Sequence, residues 1–245
     1  MPSNSSVRFP NETAAYRDAR DALLTAELDL RRRIEDVAAL RRAMPAGGAV
    51  PEDYEFDEIV VDPSGSERVQ PVRLSGLFAA GQSTLVIYSY MFGPEMATPC
   101  PMCTSILDGL DGEAPHVRDR VSFAVVAKSP IERVRQVARD RGWRNLRLVS
   151  SSRNSYNHDY HGETADGDQM PMLNVFVKRD AGVFHSYGTE LLYTPSEPGQ
   201  DFRHVDMIWP LWNLFDFTPE GRGTSWYPKL SYAAEPLDSL AATTM

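Results

Sequence analysis

Apolar residues return every seven positions along the first part of the chain, at Tyr16, Leu23, Leu30, Val37 and Met44. Ala19, Ala26 and Leu40 fill the offset positions, with Ile34 beside them, so one side of a helix is apolar throughout. Asn11 or Thr13 supplies a cap at the start, and Pro45 with Gly47-Gly48 closes the end. The pattern predicts a single helix over 11–44, ~50 Å long at ~1.5 Å per residue. Its polar face holds seven acidic and seven basic side chains and is therefore neutral. Such a helix either lies along its own domain or forms an arm that pairs antiparallel with a second copy, giving a homodimer. It carries no catalytic chemistry in either case.

The rest of the chain follows a different rhythm. Tyr54–Phe56 and Glu58–Val61 have strand character, and Pro63-Ser64-Gly65 is a turn. From Thr84 strands and helices alternate: a buried strand over Thr84–Tyr90 (TLVIYSY), a helix over Thr104–Leu110, and a strand over Val121–Ala127 (VSFAVVA). A helix over Pro130–Arg141 and a short strand over Arg147–Ser150 follow. Met172–Lys178 and Val183–Tyr187, joined by Arg179-Asp180-Ala181-Gly182, predict a hairpin. The aromatic run Asp206–Phe217 predicts a closing helix started or interrupted at Pro210. The order implies an α/β sandwich with a mixed sheet, preceded by the long helix. The expected division is a helical arm over 1–45, a sandwich domain over 46–230 and a tail over 231–245.

Composition narrows the class. In 245 residues there are 34 acidic and 25 basic side chains, a net charge of −9, with 42% hydrophobic residues. That is a folded chain with a core, and its acidity argues against nucleic acid as a partner. No apolar run reaches the ~20 residues that cross a bilayer, and the first residues lack a signal peptide's apolar stretch. The chain reads as cytoplasmic with no membrane partner, a setting in which a structural disulfide is not expected.

Only two cysteines are present, and they sit together in Cys100-Pro101-Met102-Cys103. A C-x-x-C beside a strand–helix unit reads as a thioredoxin-like redox site. The first thiol lies at a helix N-terminus, where the dipole and free N–H groups favour the thiolate, and the second is one turn further on. Pro101 fits the first helical turn because its missing N–H is not needed there. Downstream, Met170-Pro171-Met172 stands directly before the hairpin. In thioredoxin-like folds a cis-proline at this point presents the preceding backbone to the cysteines, so Pro171 is expected to be cis.

The segments Tyr90–Pro94, Cys100–Cys103, Arg141-Gly142-Trp143, Val149-Ser150-Ser151, Val183–Tyr187 and Leu214–Arg222 together resemble landmarks of a bacterial thioredoxin-like family. That family is catalogued as domain of unknown function 899 and is related to the thiol-specific antioxidant and alkyl hydroperoxide reductase group. The resemblance runs from about residue 11 to about residue 222 and implies a thioredoxin fold without an established reaction. The chain departs from the family pattern at Glu95–Pro99, between Arg153 and His161, and over Leu191–Arg203.

Three functional classes follow. The leading one is a thiol–disulfide oxidoreductase acting on thiol, disulfide or peroxide substrates, without a cofactor. In it Cys100 attacks, Cys103 resolves, Pro171 shapes the groove, the Met170 backbone meets the mixed disulfide, and Pro101 and Thr98 complete the substrate-binding set. Pro94-x-x-x-Thr98-x-Cys100 is one residue short of a peroxidatic loop. Thr98 therefore lines the loop or orients a peroxide, with Arg144 or Arg153 as the guanidinium such chemistry needs. The second class is a zinc or copper site made of Cys100, Cys103, His158 and His161, two thiolates and two imidazoles. The third is an interaction protein that keeps the motif without catalysis. Met91, Met96, Met102, Met170 and Met172 are expected to gather around the site as flexible packing or as a copper-binding or apolar substrate surface. No Rossmann glycine pattern, P-loop, His-Glu-x-x-His or Gly-x-Ser-x-Gly is present.

Overall fold

The computed structural model describes residues 7–45, 47–195, 206–223 and 225–232. The chain divides into two compact units, Met1–Ala46 and Gly47–Met245. The first is built on α1 (Ala14–Ala43). Of the two capping candidates, Thr13 is the one that caps the helix, its hydroxyl oxygen accepting the Tyr16 N–H at 3.2 Å. Arg17 pairs with Asp21 one turn on, at 3.2 Å.

The second unit contains β1 (Glu55–Val61), β2 (Glu67–Arg73), β3 (Thr84–Tyr90), α2 (Pro101–Arg120) and β4 (Ser122–Ala127). It continues with α3 (Ile131–Arg141), β5 (Leu148–Ser150), α4 (Tyr156–Asp159), β6 (Met172–Arg179), β7 (Gly182–Gly188) and α5 (Pro210–Asp216). The strands form one mixed sheet in the order β2-β1-β5-β4-β3-β6-β7. Strands β3, β4 and β5 run parallel, while β1 and β6 flank them antiparallel. The segment β3-α2-β4, followed by the β6–β7 hairpin and the α5 helix, gives a thioredoxin-like α/β sandwich. Of the expected tail over 231–245, the part from residue 233 onward lies outside the described residues.

Strand alternation sorts the core into two layers. On β4, Phe123, Val125 and Ala127 face one side, together with Ile106 and Leu107 of α2 and Val134 of α3. Ala124 and Val126 face the other side, with Phe56, Leu85, Ile87, Tyr156 and Phe176. All six residues of β4 are buried, which is why VSFAVVA reads as an unbroken apolar run.

Helix α2 is longer than the pattern predicts, because Gly109, Gly112 and Pro115 look like stop signals. Pro115 has no N–H for the Asp111 carbonyl. That carbonyl instead accepts the Asn145 side-chain amide at 3.0 Å. The Asp111 carboxylate also takes the backbone N–H groups of Arg144, Asn145 and Leu146 at 2.9, 2.8 and 3.2 Å. The turn entering β5 is thereby fastened to α2. Gly142 caps α3 in the left-handed region at φ 75°, and Trp143 then donates its indole N–H to Asp108 at 2.9 Å. The Arg-Gly-Trp landmark is thus a junction between α2, α3 and β5.

Candidate active site

Strand β3 delivers the chain into a loop, 91–99, that is held from several directions. The Ser129 N–H and hydroxyl bond the carbonyls of Phe92 and Gly93, each at 2.8 Å. Arg133 lies 4.6 Å over the Phe92 ring and donates to the carbonyls of Pro94, at 2.7 Å, and Met96. Gly93 packs so closely on Gln169 that a Cβ would fall 2.9 Å from its Cγ. Cys100 N–H returns to the Met91 carbonyl at 3.0 Å, closing the loop.

The loop ends with Cys100 as the N-cap of α2 and Pro101 at its first turn. Cys100 is half-buried, Cys103 is buried, and both are free thiols. The Cys103 thiol donates to the Cys100 sulfur, and the N–H groups of Cys103 and Met102 add to it; together they lower the Cys100 thiol to about 6 against the opposing effect of burial. Cys103 is pushed up by the same partner and by its burial. The pair is thus divided into a thiol shifted toward thiolate and a thiol held protonated. Alkylation of Cys100 by iodoacetamide is expected to rise with pH and level off above a midpoint near pH 6. Cys103→Ala removes the largest of the stabilising contacts, so the midpoint should rise; an unmoved midpoint would show that Cys103 does not set it.

The thiols open into a cleft of about 250 Å³. Cys100, Cys103, Met170 and Pro171 all line it. So do Met91 and Met102, together with Trp209 and with Tyr88, Ile106 and Leu192, which the sequence pattern does not single out as site residues. An aromatic spacing near Pro210 signals Trp209, but nothing local marks Tyr88 or Ile106 as site residues. Met96 stays in the loop, its sulfur accepting the Gly93 N–H at 3.2 Å. Met172 is buried behind the cleft, its sulfur accepting the Thr189 hydroxyl at 3.1 Å.

Several expectations are corrected. The Met170–Pro171 bond is trans, as no described peptide bond is cis. The chain before it is anchored by a bridge between Glu163 and Gln169 and by Met170 N–H to the Gly162 carbonyl at 2.9 Å. That approach lets Pro171 reach the cleft wall with the isomer that X-Pro bonds ordinarily prefer. Thr98 is exposed and does not line the cleft. Neither expected guanidinium reaches the thiols: Arg153 pairs with Asp57, and Arg144 lines a separate depression with Arg118, Arg135 and Arg147.

The set Cys100, Cys103, His158 and His161 is not brought together. His158 is exposed beside Asp159 at 3.2 Å. His161 takes a left-handed conformation, φ 57°, which breaks the i, i+3 alignment after the single turn of α4. It meets the Tyr193 ring edge-on at 5.8 Å, in a second pocket shared with Asn174 and His185. Tyr156, the first residue of α4, and Tyr160, directly after it, belong to the core layer on the opposite face of the sheet from Cys103. Among the described residues no group of three or more His, Cys, Asp and Glu side chains is placed to hold a metal ion.

Comparison with known families gives a match over residues 6–234 to one described as "Bacterial protein of unknown function (DUF899)". The chain belongs to this family. The DUF899 match takes in α1, the cysteine loop and the aromatic segment around α5. A search of curated proteins finds no match. Among solved structures, reduced 2-Cys peroxiredoxin from Plasmodium vivax is similar at 15% identity and TM-score 0.42, covering 70% of this chain and 98% of that one. AhpC from Mycobacterium tuberculosis is similar at 13% identity and TM-score 0.44, covering 69% and 90%. The exposed lipoprotein thioredoxin Etrx1 of Streptococcus pneumoniae is similar at 13% identity and TM-score 0.36, covering 62% and 95%. Among the described residues no helix is long and apolar enough to cross a membrane.

Proposed function

We propose that this DUF899 protein is a dithiol oxidoreductase acting on small apolar disulfides. The observation that carries the reading is the Cys100 thiol at the N-terminus of α2, held low by Cys103 and two backbone N–H groups. The Cys100 thiolate attacks one sulfur of the substrate disulfide, that S–S bond breaks, and the other sulfur leaves as a thiolate. Cys103 then gives up its proton and attacks the Cys100 sulfur, expelling the second substrate thiolate. The substrate gains two electrons, the protein closes a Cys100–Cys103 disulfide, and an external dithiol restores it. The cleft wall of Met91, Met102, Ile106, Met170, Leu192 and Trp209 supports an apolar substrate.

A peroxide route finds less support. Cys100 is stabilised by the neighbouring thiol and backbone, and Arg133 is occupied by loop carbonyls. Turnover with dithiothreitol is therefore expected to be at least ~10-fold faster for an aromatic disulfide than for equimolar hydrogen peroxide. Faster consumption of peroxide would replace this reading with a peroxidase.

A further inference from the structure

Tyr88 is 1% exposed on β3, and its hydroxyl has no hydrogen-bond partner of standard geometry among the described residues. Its neighbour on the same face, Tyr90, is different: that hydroxyl shares a hydrogen bond with Thr104 Oγ1 at 2.7 Å. Phenylalanine would fill the Tyr88 position without burying an unsatisfied O–H. The Tyr88 side chain instead lines the thiol cleft together with Cys103, and each acts on the other's protonation. The Met91 backbone N–H acts on the same sulfur. In the reduced protein Cys103 is a thiol, a weak acceptor, so this pair of donors is largely unused.

We propose that Tyr88 is a catalytic residue for disulfide closure, its O–H donating to the Cys103 sulfur as that sulfur becomes a thiolate. The proposal rests on the dithiol reading above. After the first attack Cys100 carries the substrate's sulfur and no longer accepts a hydrogen bond as a thiolate. The Cys103 proton passes out through the cleft to buffer. The Cys103 thiolate then forms its bond to Cys100 Sγ, and the bond from Cys100 to the substrate sulfur breaks. Between those events the negative charge rests on a buried sulfur, where a donor fixed in advance is most effective. Burial pushes the Tyr88 hydroxyl well above its ordinary range, so it remains protonated and serves as a donor rather than a base. Tyr88 therefore ends the cycle with the proton it began with.

The test uses the full chain and one equivalent of the chromogenic disulfide dithiobis(nitrobenzoate), followed by stopped flow. Wild type should release coloured thiolate in two phases, attack by Cys100 and then closure by Cys103; Cys103→Ser should lose the second. Tyr88→Phe should leave the first phase within about twofold and slow the second by ~10-fold or more, with the second phase's pH midpoint displaced upward. A fluorinated tyrosine at this position, a stronger donor in the same shape, should speed the second phase relative to wild type. An unchanged second phase in Tyr88→Phe, or both phases slowed alike, would overturn the role of Tyr88 while leaving the dithiol reading intact. Absence of any release from wild type would overturn both.

Discussion

Replacing Cys100 with serine should reduce disulfide turnover by on the order of 10³-fold or more, to the level of protein-free solution. The surroundings of Cys100 stabilise a thiolate: a thiol donor from Cys103, two backbone N–H groups and the start of α2. A serine hydroxyl placed there stays protonated at neutral pH and does not attack a disulfide. Cys103→Ser is expected to behave differently. Its hydroxyl still points a donor at Cys100, so the first attack proceeds, but nothing expels the second sulfur. The protein should accumulate as one mixed disulfide per chain, visible as an intact-mass increase that dithiothreitol removes. The reading is lost if Cys100→Ser turns over like wild type, or if Cys103→Ser treated with the disulfide in the absence of reductant gains no mass.

The second large effect is expected outside the thiol cleft, at Arg222. Its guanidinium grips Asp206 through both terminal nitrogens at 3.2 and 3.1 Å, and it also bonds Asp216 through Nε at 3.0 Å. It lies 5.7 Å over the Trp212 ring, and its side chain is only 8% exposed. The two carboxylates raise its pKa, so it is a permanent cation. Arg222→Leu removes the charge both acids share. Loss of one partner from a buried pair costs ~3–5 kcal/mol, whereas exposed pairs are worth ~0–1 kcal/mol. With Asp216 32% exposed, about 2–3 kcal/mol is appropriate here. For a chain of this length that lowers Tm by roughly 5–10 °C. Because Asp206 and Asp216 bracket Trp209 of the cleft wall, the KM for an apolar disulfide should rise as well. A Tm within a degree of wild type would show that the clamp does not hold the segment.

This clamp also gives physical content to the Leu214–Arg222 landmark, whose spacing is legible in sequence while its purpose is not. Strands β3 and β4 are legible because both faces of each are buried. Strand β2 is not: ERVQPVR is largely exposed at the sheet edge, where Pro71 is tolerated and charge is usual. The true length of α2 depends on Asn145, a residue from another element that takes over the carbonyl released by Pro115. Local stop signals carry no record of such a rescue. In the site, C-x-x-C and the proline before the hairpin identify one wall each. The trans bond before Pro171 leaves no local mark in the sequence, and neither does the separation of His158 and His161 from the thiols, which comes from the sheet between them. Tyr88 reads as one more aromatic in a buried strand; only packing reveals a hydroxyl beside a thiol.

The strapping of loop 91–99 by Ser129 and Arg133 bears on how binding would respond to temperature. A loop already fixed through the carbonyls of Phe92, Gly93, Pro94 and Met96 has little conformational entropy left to lose when a ligand enters. Calorimetry with an apolar disulfide and the Cys100→Ser protein should then show a small negative heat-capacity change, proportional to the ligand's own buried surface. A loop that folded over its ligand would add the much larger signature of coupled ordering. Under the proposed function, a small signature would mark the approach to Cys100 as a rigid socket and leave discrimination among disulfides to shape at its apolar wall.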